Sequence, residues 1–466
     1  MKISFHGAAR TVTGSKHLLH INPTKKILLD CGMFQGMGID TTRLNSEWGF
    51  EPSEVDHVII SHGHIDHIGL LPKLVKDGYK GKIYCTPPTA SLARLLLVDS
   101  ARIQEADVKY VNKHRQKEHK PPVAPLYTEE DATAVFPLFE TIPYNEPYIV
   151  DEGIELLYTD CGHILGSAAI NLKIKEKGVT THLTFSGDVG RYRDMILRSP
   201  QDFPQADVII MESTYGDKLH DLQAVATDKL LDHIVETCLK RKGKLVMPAF
   251  SLGRTQEILY MLNRLELEKR LPPLTYYVDS PLSVKMTETI KRYPACFNSN
   301  VQHLLRKDDD VFSFKGLTYI EDVDDSIRLN DSKEPCVIIS ASGMAEAGRV
   351  KHHIANNITD SRNTILLTGY CEPGSLGGRL KANPPEVRIF GRAFPVKAHI
   401  AEITSLSAHG DYEDMSQWLA CQDPRQVRKL FLVHGEYEVQ QRFSDRLQRK
   451  GFEDIEIPAQ HTVYGI

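Results

Sequence analysis

The stretch SHGHIDH, residues 61–67, decides how this sequence is interpreted. It follows the apolar run VDHVIIS and leads into IGLLPKLVKDGY, a pattern that predicts a strand running into a helix. His62 and His64 are two residues apart, so on an extended chain both side chains project to the same side. Asp66 and His67 lie where the chain turns into the helix and can face a second point nearby. Histidine nitrogens and aspartate oxygens are good zinc ligands, so the stretch predicts a pair of metal positions at a strand end.

The neighbouring glycines fit the same interpretation. Gly63 lies inside the cluster and Gly69 follows it by two residues. Because glycine has no Cβ, we expect both positions to let the backbone pack tightly around the metals.

The H-x-H-x-D-H pattern resembles the signature of the metallo-β-lactamase superfamily, and the rest of that family's ligand set occurs in the same order. Asp30, which ends KILLD, resembles the first acidic position, which supports the site from behind. His163 in DCGHILGS resembles the next ligand, and Asp188 in FSGD resembles the carboxylate that bridges two metals. The resemblance implies one zinc held by His62, His64, His163 and Asp188, and another held by Asp66, His67, Asp188 and a late histidine.

Two Zn²⁺ ions at such a site have a clear chemical purpose. A water that bridges two cations loses its proton near neutral pH and becomes a nucleophile. The same ions neutralise the charge that develops on a phosphoryl oxygen. Manganese or iron can occupy His/Asp sites as well, so zinc is the expected metal and not the only one that the ligands accept.

Three later motifs resemble the β-CASP group, the nucleic-acid-processing branch of the superfamily. They are Glu212 in VIIMESTYG, His409 in SLSAHGD and His434 in LVHGE. The resemblance implies that His434 is the last metal ligand and that His409, oriented by Glu212, is the general acid, with Asp30 and Asp66 as further catalytic residues. Histidine can carry a proton to a leaving ribose oxygen near pH 7. A histidine at position 434 is typical of the RNA-acting members, whereas the DNA-repair members usually have an apolar residue there.

The resemblance covers essentially the whole chain and implies its fold. We expect an α/β protein with a metallo-β-lactamase αββα sandwich and an inserted α/β β-CASP domain, in which strands alternate with helices. The predicted boundaries are 1–212 for the first part of the metallo-β-lactamase domain, 213–395 for the insertion and 396–466 for the return segment. Within the β-CASP group, the sequence most resembles the RNA 3′-end-processing endonuclease subunit of the cleavage and polyadenylation specificity factor type and its stand-alone bacterial counterparts.

Several residues of the predicted insertion are candidates for binding phosphate. Four of them are basic and lie in or beside turns that contain glycine, and two can donate a hydroxyl or a backbone N–H group. They are Arg254, Ser342, Gly343, Arg349, Arg379 and Lys397. An ordinary surface salt bridge is the alternative for each basic residue. The segment GYCEPGSLGGRL departs from the relatives' shorter, non-proline sequence at Cys371, Glu372 and Pro373, which affects the contacts expected there.

Composition limits the class of protein and its partners. Hydrophobic residues make up 41% and charged residues 25% of 466, as in ordinary globular proteins. The net charge is −5, so a polyanionic substrate requires a local basic patch. The helix predicted from Pro88 to about His119 has a charged last third, which we expect to be a solvated face. Widely spaced cysteines without a CxxC pair, and an N-terminus without an apolar signal segment, favour a cytoplasmic protein without a membrane span.

The sequence therefore predicts a zinc-dependent ribonuclease that hydrolyses phosphodiester bonds of single-stranded RNA, in RNA processing or decay. A narrow cleft between two domains would admit a single strand and exclude a duplex. The alternative is a hydrolase of a small thioester or lactone on the same metal core, although a small substrate needs neither the insertion nor His409. A non-catalytic scaffold is the third reading, and the complete ligand set disfavours it. Endonuclease and exonuclease modes, the oligomeric state and the RNA-processing partners are left open.

Overall fold

The computed structural model describes residues 1–220, 224–369 and 371–466, apart from the side chain of Ala224. The spacing of apolar residues predicts a helix over 222–244 and the run TILLTGY predicts a strand over 364–370. Residues 222 and 223 of that helix and Tyr370 of that strand lie outside the described residues. The chain forms two compact units. The first unit comprises residues 1–192, 198–219 and 409–466, and the second comprises 193–197 and 220–408.

The strands are numbered in chain order. They are β1 (Lys2–Gly7), β2 (Lys16–Asn22), β3 (Lys25–Leu29), β4 (His57–Ile59), β5 (Lys82–Cys85), β6 (Phe139–Thr141), β7 (Tyr148–Asp151), β8 (Ile154–Asp160), β9 (Ala168–Glu176), β10 (Val179–Phe185), β11 (Val208–Glu212), β12 (Leu245–Pro248), β13 (Thr275–Val278), β14 (Leu317–Tyr319), β15 (Cys336–Ser340), β16 (Thr364–Leu367), β17 (Glu386–Ile389), β18 (Arg392–Pro395), β19 (His399–Glu402), β20 (Lys429–Val433), β21 (Ile455–Glu456) and β22 (Val463–Gly465).

The helices are numbered in the same way. They are α1 (Thr41–Ser46), α2 (Ile65–Ile68), α3 (Leu71–Lys76), α4 (Pro87–Lys117), α5 (Glu129–Ala134), α6 (Ala224–Ile234), α7 (Arg254–Leu267), α8 (Pro281–Ile290), α9 (Ser299–Leu304), α10 (Val323–Asp331), α11 (Arg349–Asn357), α12 (Leu376–Lys381), α13 (Tyr412–Trp418) and α14 (Tyr437–Gln448).

The first unit consists of two sheets that share one core. Their strand orders are β22-β1-β2-β3-β4-β5-β6 and β21-β20-β11-β10-β9-β8-β7. Side chains from both sheets, such as Phe5, Phe185 and Phe431, are buried together between them. Residues of α2, α3, α4 and α5 pack on the outer side of the first sheet, and residues of α13 and α14 pack on the outer side of the second. This arrangement is the predicted αββα sandwich, in which each sheet buries both of its faces.

The directions of the strands bring the predicted site residues to one edge in each sheet. Strands β3 and β4 are parallel, so Asp30 and SHGHIDH follow neighbouring carboxyl ends. In the second sheet β10, β11 and β20 are parallel, so Asp188, Glu212 and His434 lie at or just beyond neighbouring carboxyl ends. Polar residues beyond parallel strand ends meet without disturbing the apolar core, because the ladder hydrogen bonds end before them.

The second unit contains a six-stranded parallel sheet in the order β14-β13-β15-β12-β16-β19. Its central strands β12, β15 and β16 are apolar and fully buried, as expected for a parallel sheet that is covered on both faces. The edge strands β14 and β19 have no buried residue. Strands β17 and β18 form a separate antiparallel pair. The insertion and its α/β character follow the expectation from the sequence.

The limits of the units differ from the predicted domain limits. Strand β19 pairs with β16, so residues 396–408 lie in the second unit and not with the return segment. Residues 193–197 also belong to the second unit, where the Asn298 side chain donates a hydrogen bond to the Asp194 carbonyl at 3.0 Å. Residues 213–219 lie in the first unit. These differences arise from pairings with distant residues that local sequence does not reveal.

The structure also describes the state of the cysteines and the character of the helices. None of the eight cysteines forms a disulfide, and six of them are buried. Among the helices of the described residues, none combines the length and the apolar character needed to cross a bilayer.

Candidate metal centre

Four of the predicted ligands converge at the first position. Nε2 of His62 lies 3.1 Å from Nδ1 of His64, which in turn lies 3.2 Å from Nε2 of His163. Oδ2 of Asp188 is 3.4 Å from the same nitrogens of His62 and His163. Two nitrogen ligands at tetrahedral angles on a zinc ion, each bound at about 2.0–2.1 Å, are about 3.3 Å apart. The four donors therefore fit one cation.

The remaining predicted ligands converge at a second position. Nε2 of His67 lies 3.2 Å from Nε2 of His434, which is 3.4 Å from Oδ2 of Asp66. Oδ1 of Asp188 lies 3.4 Å from Nε2 of His67. This buried oxygen accepts no hydrogen bond from the described residues. Asp188 thus turns one oxygen toward each group of histidines, and the donor sets fit a pair of cations that share this carboxylate.

The protonation states of His62, His64 and Asp188 suit metal binding. Burial lowers the pKa of His62 well below its usual range and that of His64 to about 4, so both rings are neutral at neutral pH. Burial alone would raise the pKa of Asp188, but the surrounding histidines hold it well below its ordinary value. A neutral imidazole and an ionised carboxylate are the forms that bind a cation. For His67, burial would lower the pKa, but the carboxylates of Asp188, Asp30 and Asp66 raise it well above its usual range, so a cation must displace a proton there.

Asp30 lies behind His67 and faces away from the other ligands. Its Oδ2 accepts hydrogen bonds from Nδ1 of His67 at 2.6 Å and from the hydroxyls of Ser61 at 2.9 Å and Ser15 at 3.2 Å, while its Oδ1 accepts the Ser61 N–H at 2.8 Å. A backbone φ of +57° turns Asp30 into this position. By accepting the hydrogen bond from Nδ1–H, Asp30 favours the tautomer in which Nε2 of His67 is free to bind a cation. Asp30 is therefore a positioning residue, which orients His67.

Thr214, which is not predicted from the sequence, holds His434 in the corresponding way. Its hydroxyl lies 3.0 Å from Nδ1 of His434 and 3.1 Å from the His434 carbonyl. The backbone N–H of His434 donates to the Ala8 carbonyl at 2.7 Å. The only signal in the sequence is that Thr214 follows Glu212 by two residues.

Glu212 and His409 form a pair beside Asp188. Nδ1 of His409 lies 3.1 Å from both carboxylate oxygens of Glu212, and its Nε2 is 3.9 Å from Oδ2 of Asp188. The oxygens of Glu212 also accept the N–H groups of Val189 at 2.6 Å and Thr214 at 3.3 Å, so Glu212 is held in place and orients His409. One ligand atom from each of Glu212, His409, Asp188 and His434 also lies within 4.8 Å of the others. Burial would lower the pKa of His409, but Glu212 and Asp188 together raise it to about 9. The ring is therefore protonated at neutral pH.

Close backbone packing surrounds the ligands, though not at every glycine that we expected. A Cβ at Gly69 would lie 2.4 Å from the Ile65 carbonyl oxygen, whereas a Cβ at Gly63 would meet only ordinary contact at 3.5 Å. The tightest approach is at Gly32, where a Cβ would lie 1.6 Å from the Asp66 carbonyl oxygen. The expectation for Gly63 is therefore wrong, because the open side of that residue meets only the Leu92 side chain.

A buried lysine holds this backbone. The ammonium of Lys16 donates to the carbonyls of Gly14 at 3.0 Å and Gly32 at 2.8 Å, and it lies 4.3 Å from the centre of the Phe34 ring. Burial lowers the pKa of Lys16 to about 7. Lys16 is not predicted from the sequence, because a lysine in a strand ordinarily suggests a solvated position.

The candidate phosphate contacts lie in the second unit, and all three of the arginines have partners there. Arg349 donates to Oδ1 of the buried Asp279 at 2.6 Å and to the backbone carbonyls of Ile320 and Glu321. Arg254 is buried at the start of α7 and donates to Glu257. For Arg349 the structure gives an internal ion pair as the main contact.

The other four candidates are distributed over turns of the same unit. Ser342 contacts Ala347, Gly343 packs against the Phe250 ring, Arg379 donates to the Gly374 carbonyl at 2.5 Å, and Lys397 is exposed. In the departing segment, the Glu372 carbonyl accepts the hydroxyl and the N–H of Ser375, whose side chain begins α12. Each of these substrate assignments stays a prediction.

Comparison with known families gives three matches along the chain. A metallo-beta-lactamase superfamily domain matches residues 18–205 and a Beta-Casp domain matches residues 255–380. A Zn-dependent metallo-hydrolase RNA specificity domain matches residues 394–458.

Curated proteins are similar over nearly the whole chain. The ribonuclease TTHA0252 of Thermus thermophilus is 34% identical over 438 residues, which is 94% of each chain. An RNase J-like protein of Methanocaldococcus jannaschii is 30% identical over 93% of this chain and 92% of its own. Cleavage and polyadenylation specificity factor 73 of Drosophila melanogaster is 29% identical over 91% of this chain and 58% of its own.

Proposed function

We propose that this chain, which belongs to the metallo-β-lactamase superfamily and carries its Beta-Casp and RNA specificity domains, is a metal-dependent ribonuclease that hydrolyses phosphodiester bonds. One observation carries the proposal. Asp188 turns an oxygen toward each of two histidine groups, and the His409–Glu212 pair lies next to it. The similarity to a ribonuclease over 94% of both chains supports RNA as the substrate.

The metals in the proposal are two zinc ions. His62, His64, His163 and Asp188 would hold one, and Asp66, His67, His434 and Asp188 would hold the other. The close nitrogen–nitrogen distances and the shared carboxylate support this assignment, and the name of the RNA specificity domain supports zinc. When bound, such ions acidify water and neutralise charge on a phosphoryl oxygen.

The protein's own residues provide the proton for the leaving group. Nδ1 of His409 is fixed by Glu212, so Nε2 is the atom that carries a proton toward the region of Asp188. A group that is protonated at neutral pH can give this proton to the departing ribose oxygen. Glu212, which accepts two backbone N–H groups as well, keeps the imidazole in one orientation.

The finer parts of the proposal concern the RNA itself and the place of action. We propose single-stranded RNA as the substrate and the cytoplasm as the location, and eight cysteines outside disulfides support the latter.

The test compares zinc-loaded protein on single-stranded RNA and on DNA of the same sequence, each labelled at either end in turn. We expect cleavage of RNA and loss of cleavage in His409→Ala, with zinc content unchanged because His409 is not a proposed ligand. The matched control is His182→Ala, an exposed histidine of the same unit, and it should cut RNA at the wild-type rate.

Two outcomes would contradict the proposal. The first is that the metal-loaded protein cuts neither RNA nor DNA. The second is that it hydrolyses a small thioester well but does not hydrolyse a chromogenic phosphodiester. The second outcome would favour the small-molecule hydrolase, and His409 would then be a structural residue.

A further inference from the structure

The helix α4 extends well beyond the core on which it packs. It has 31 residues, which corresponds to about 46 Å. Its buried residues all lie between Pro88 and Ala101, and from Arg102 to its end the helix has none. The second half therefore contributes little to the core, and packing alone does not explain its length.

The last turns of α4 and the three residues that follow them are strongly basic in a protein of net charge −5. Residues 109–120, KYVNKHRQKEHK, contain five basic residues and one acidic residue. Lys109, Lys113 and Lys117 follow one another at intervals of four residues, so they form a line on one side of the helix, about 6 Å apart along its axis. None of the three makes an ion pair with a described residue, and all three are exposed. Like charges at this spacing weaken a helix, so the line suggests a partner of opposite charge.

Aromatic groups lie beside the line of lysines. Tyr110 is 67% exposed, although tyrosine usually buries most of its ring. Its ring centre lies 4.7 Å from that of His114, which is one turn further along. A basic track with neighbouring exposed rings is the combination that binds single-stranded nucleic acid, because phosphates meet the cations and bases stack on the rings.

The returning chain fixes the helix from the other side. Asn112 exchanges two hydrogen bonds with the backbone of Val123, at 2.9 and 2.8 Å, and Nε of Arg115 donates to the Pro121 carbonyl at 2.7 Å. These contacts use Asn112 and Arg115 and leave the three lysines in solvent. The surface is thus held in place before any partner binds, which lowers the entropic cost of binding.

The helix also begins beside the metal ligands of its own unit. The hydroxyls of Thr86 and Thr89 donate to the carbonyl of Gly166, in the loop that carries His163. A Cβ at Gly63 would lie 3.5 Å from the Leu92 Cβ. At 1.5 Å per residue, the lysines lie from about 26 Å to about 38 Å further along the helix axis than Leu92.

We propose that Lys109, Tyr110, Lys113, His114 and Lys117, which we call the basic face, bind the backbone and bases of single-stranded RNA away from the metal ligands. The inference rests on the proposed ribonuclease function and adds a docking surface to it. RNA fits this face better than an acidic protein does, because an acidic segment would use the lysines but not the exposed rings. Measured along the axis of α4, the basic face begins about 26 Å from Leu92, which lies beside the metal ligands. Only an RNA that extends at least this far from the ligands can reach it.

The test uses the triple variant Lys109→Gln, Lys113→Gln and Lys117→Gln, since glutamine has nearly the helix propensity of lysine. The matched control replaces three exposed lysines of the same unit that make no ion pair with a described residue, in the variant Lys80→Gln, Lys175→Gln and Lys450→Gln. Binding of long single-stranded RNA is measured by fluorescence anisotropy over a series of salt concentrations, in the His409→Ala background so that the RNA stays intact.

We expect the slope of log affinity against log salt to fall by about 2 in the basic-face variant, since each phosphate contact contributes about 0.7. The control variant should keep the wild-type slope. Tyr110→Ala should weaken binding at least about fivefold without changing the slope, because stacking releases no counterions. With His409 present, the basic-face variant should cut long RNA with a raised KM and hydrolyse a chromogenic phosphodiester at the wild-type kcat/KM.

Three results would overturn the inference. If the basic-face variant binds and cuts long RNA as the control does, the docking surface is wrong although the ribonuclease proposal survives. If polyglutamate competes as well as RNA for the basic face, the partner is an acidic chain and not RNA. If the wild type neither binds nor cuts RNA, the ribonuclease proposal fails and the docking surface fails with it.

Discussion

The exchange of Asp30 for asparagine isolates the contribution of a residue that binds no metal itself. Asp30 is fully buried, and its Oδ2 accepts hydrogen bonds from His67, Ser61 and Ser15. Asparagine has one accepting oxygen and one NH₂ group. If the oxygen stays on the Ser61 N–H, the NH₂ group faces Nδ1 of His67, and two donors then meet at the former distance of 2.6 Å.

The serine hydroxyls can rotate to accept, but His67 can relieve this conflict only by moving its proton to Nε2. That nitrogen is the one that faces His434 and Asp188. Removing the hydrogen-bond partner of a ligating histidine typically lowers metal affinity by about 10- to 100-fold, or about 1.4–2.8 kcal/mol. We expect a loss of this size for one of the two zinc ions and little change for the other.

The assay is a zinc titration against a competing chelator, which resolves two affinities per chain. Asp279→Asn is the matched control, because Asp279 is equally buried and accepts a hydrogen bond from Nε2 of His353 at the same 2.6 Å, in the other unit. It should lower stability without changing zinc affinity. If Asp30→Asn binds two zinc ions with wild-type affinity, the argument from the tautomer of His67 is refuted.

Three further predictions concern the general acid, the loop support and the core. Because carboxylates outweigh burial and raise the pKa of His409 to about 9, cleavage should be lost as the pH rises through about 9. Glu212→Gln should move this alkaline limb of the kcat/KM profile down by about 1–3 pH units, and an unmoved limb would exclude the pairing with Glu212 as its cause. Lys16→Met leaves two buried carbonyls without their donor and should lower the free energy of unfolding in urea by about 1–3 kcal/mol. The exposed Lys80→Met should change it by less than about 0.5 kcal/mol, and equal effects would remove the special role of Lys16. Phe431→Ala, between the two sheets, should cost about 3–5 kcal/mol, and a loss under about 1 kcal/mol would contradict the packing described.

The parts of the fold that could be predicted from the sequence are those with a strong local pattern. The runs that became β1, β8, β9 and β12 are apolar and bounded by turn residues, and α4 shows helical spacing over its whole length. Short strands such as β6 and β14 carry too little local signal, because they are formed by pairing with β5 and β13. The extent of the second unit could not be predicted for the same reason, since β19 is defined by β16.

In the candidate centre, the convergence of the ligands could be predicted because they follow strands in a recognisable order. The supports Asp30 and Glu212 could be predicted in the same way, but Thr214 and Lys16 could not. Both act through hydrogen bonds to distant residues, which no spacing in the sequence indicates. For Arg349, the local sequence pattern does not reveal the main contact of the side chain. Its position in a glycine-containing turn suggested phosphate binding, but its guanidinium meets Asp279, which lies 70 residues earlier in the chain.

The most direct test of the central account, two cations that share Asp188, is the rate of RNA cleavage as zinc is added to metal-free protein. We predict no cleavage without zinc, and a rate that saturates at two equivalents per chain. Full activity at one equivalent, or cleavage by the metal-free protein, would contradict the account.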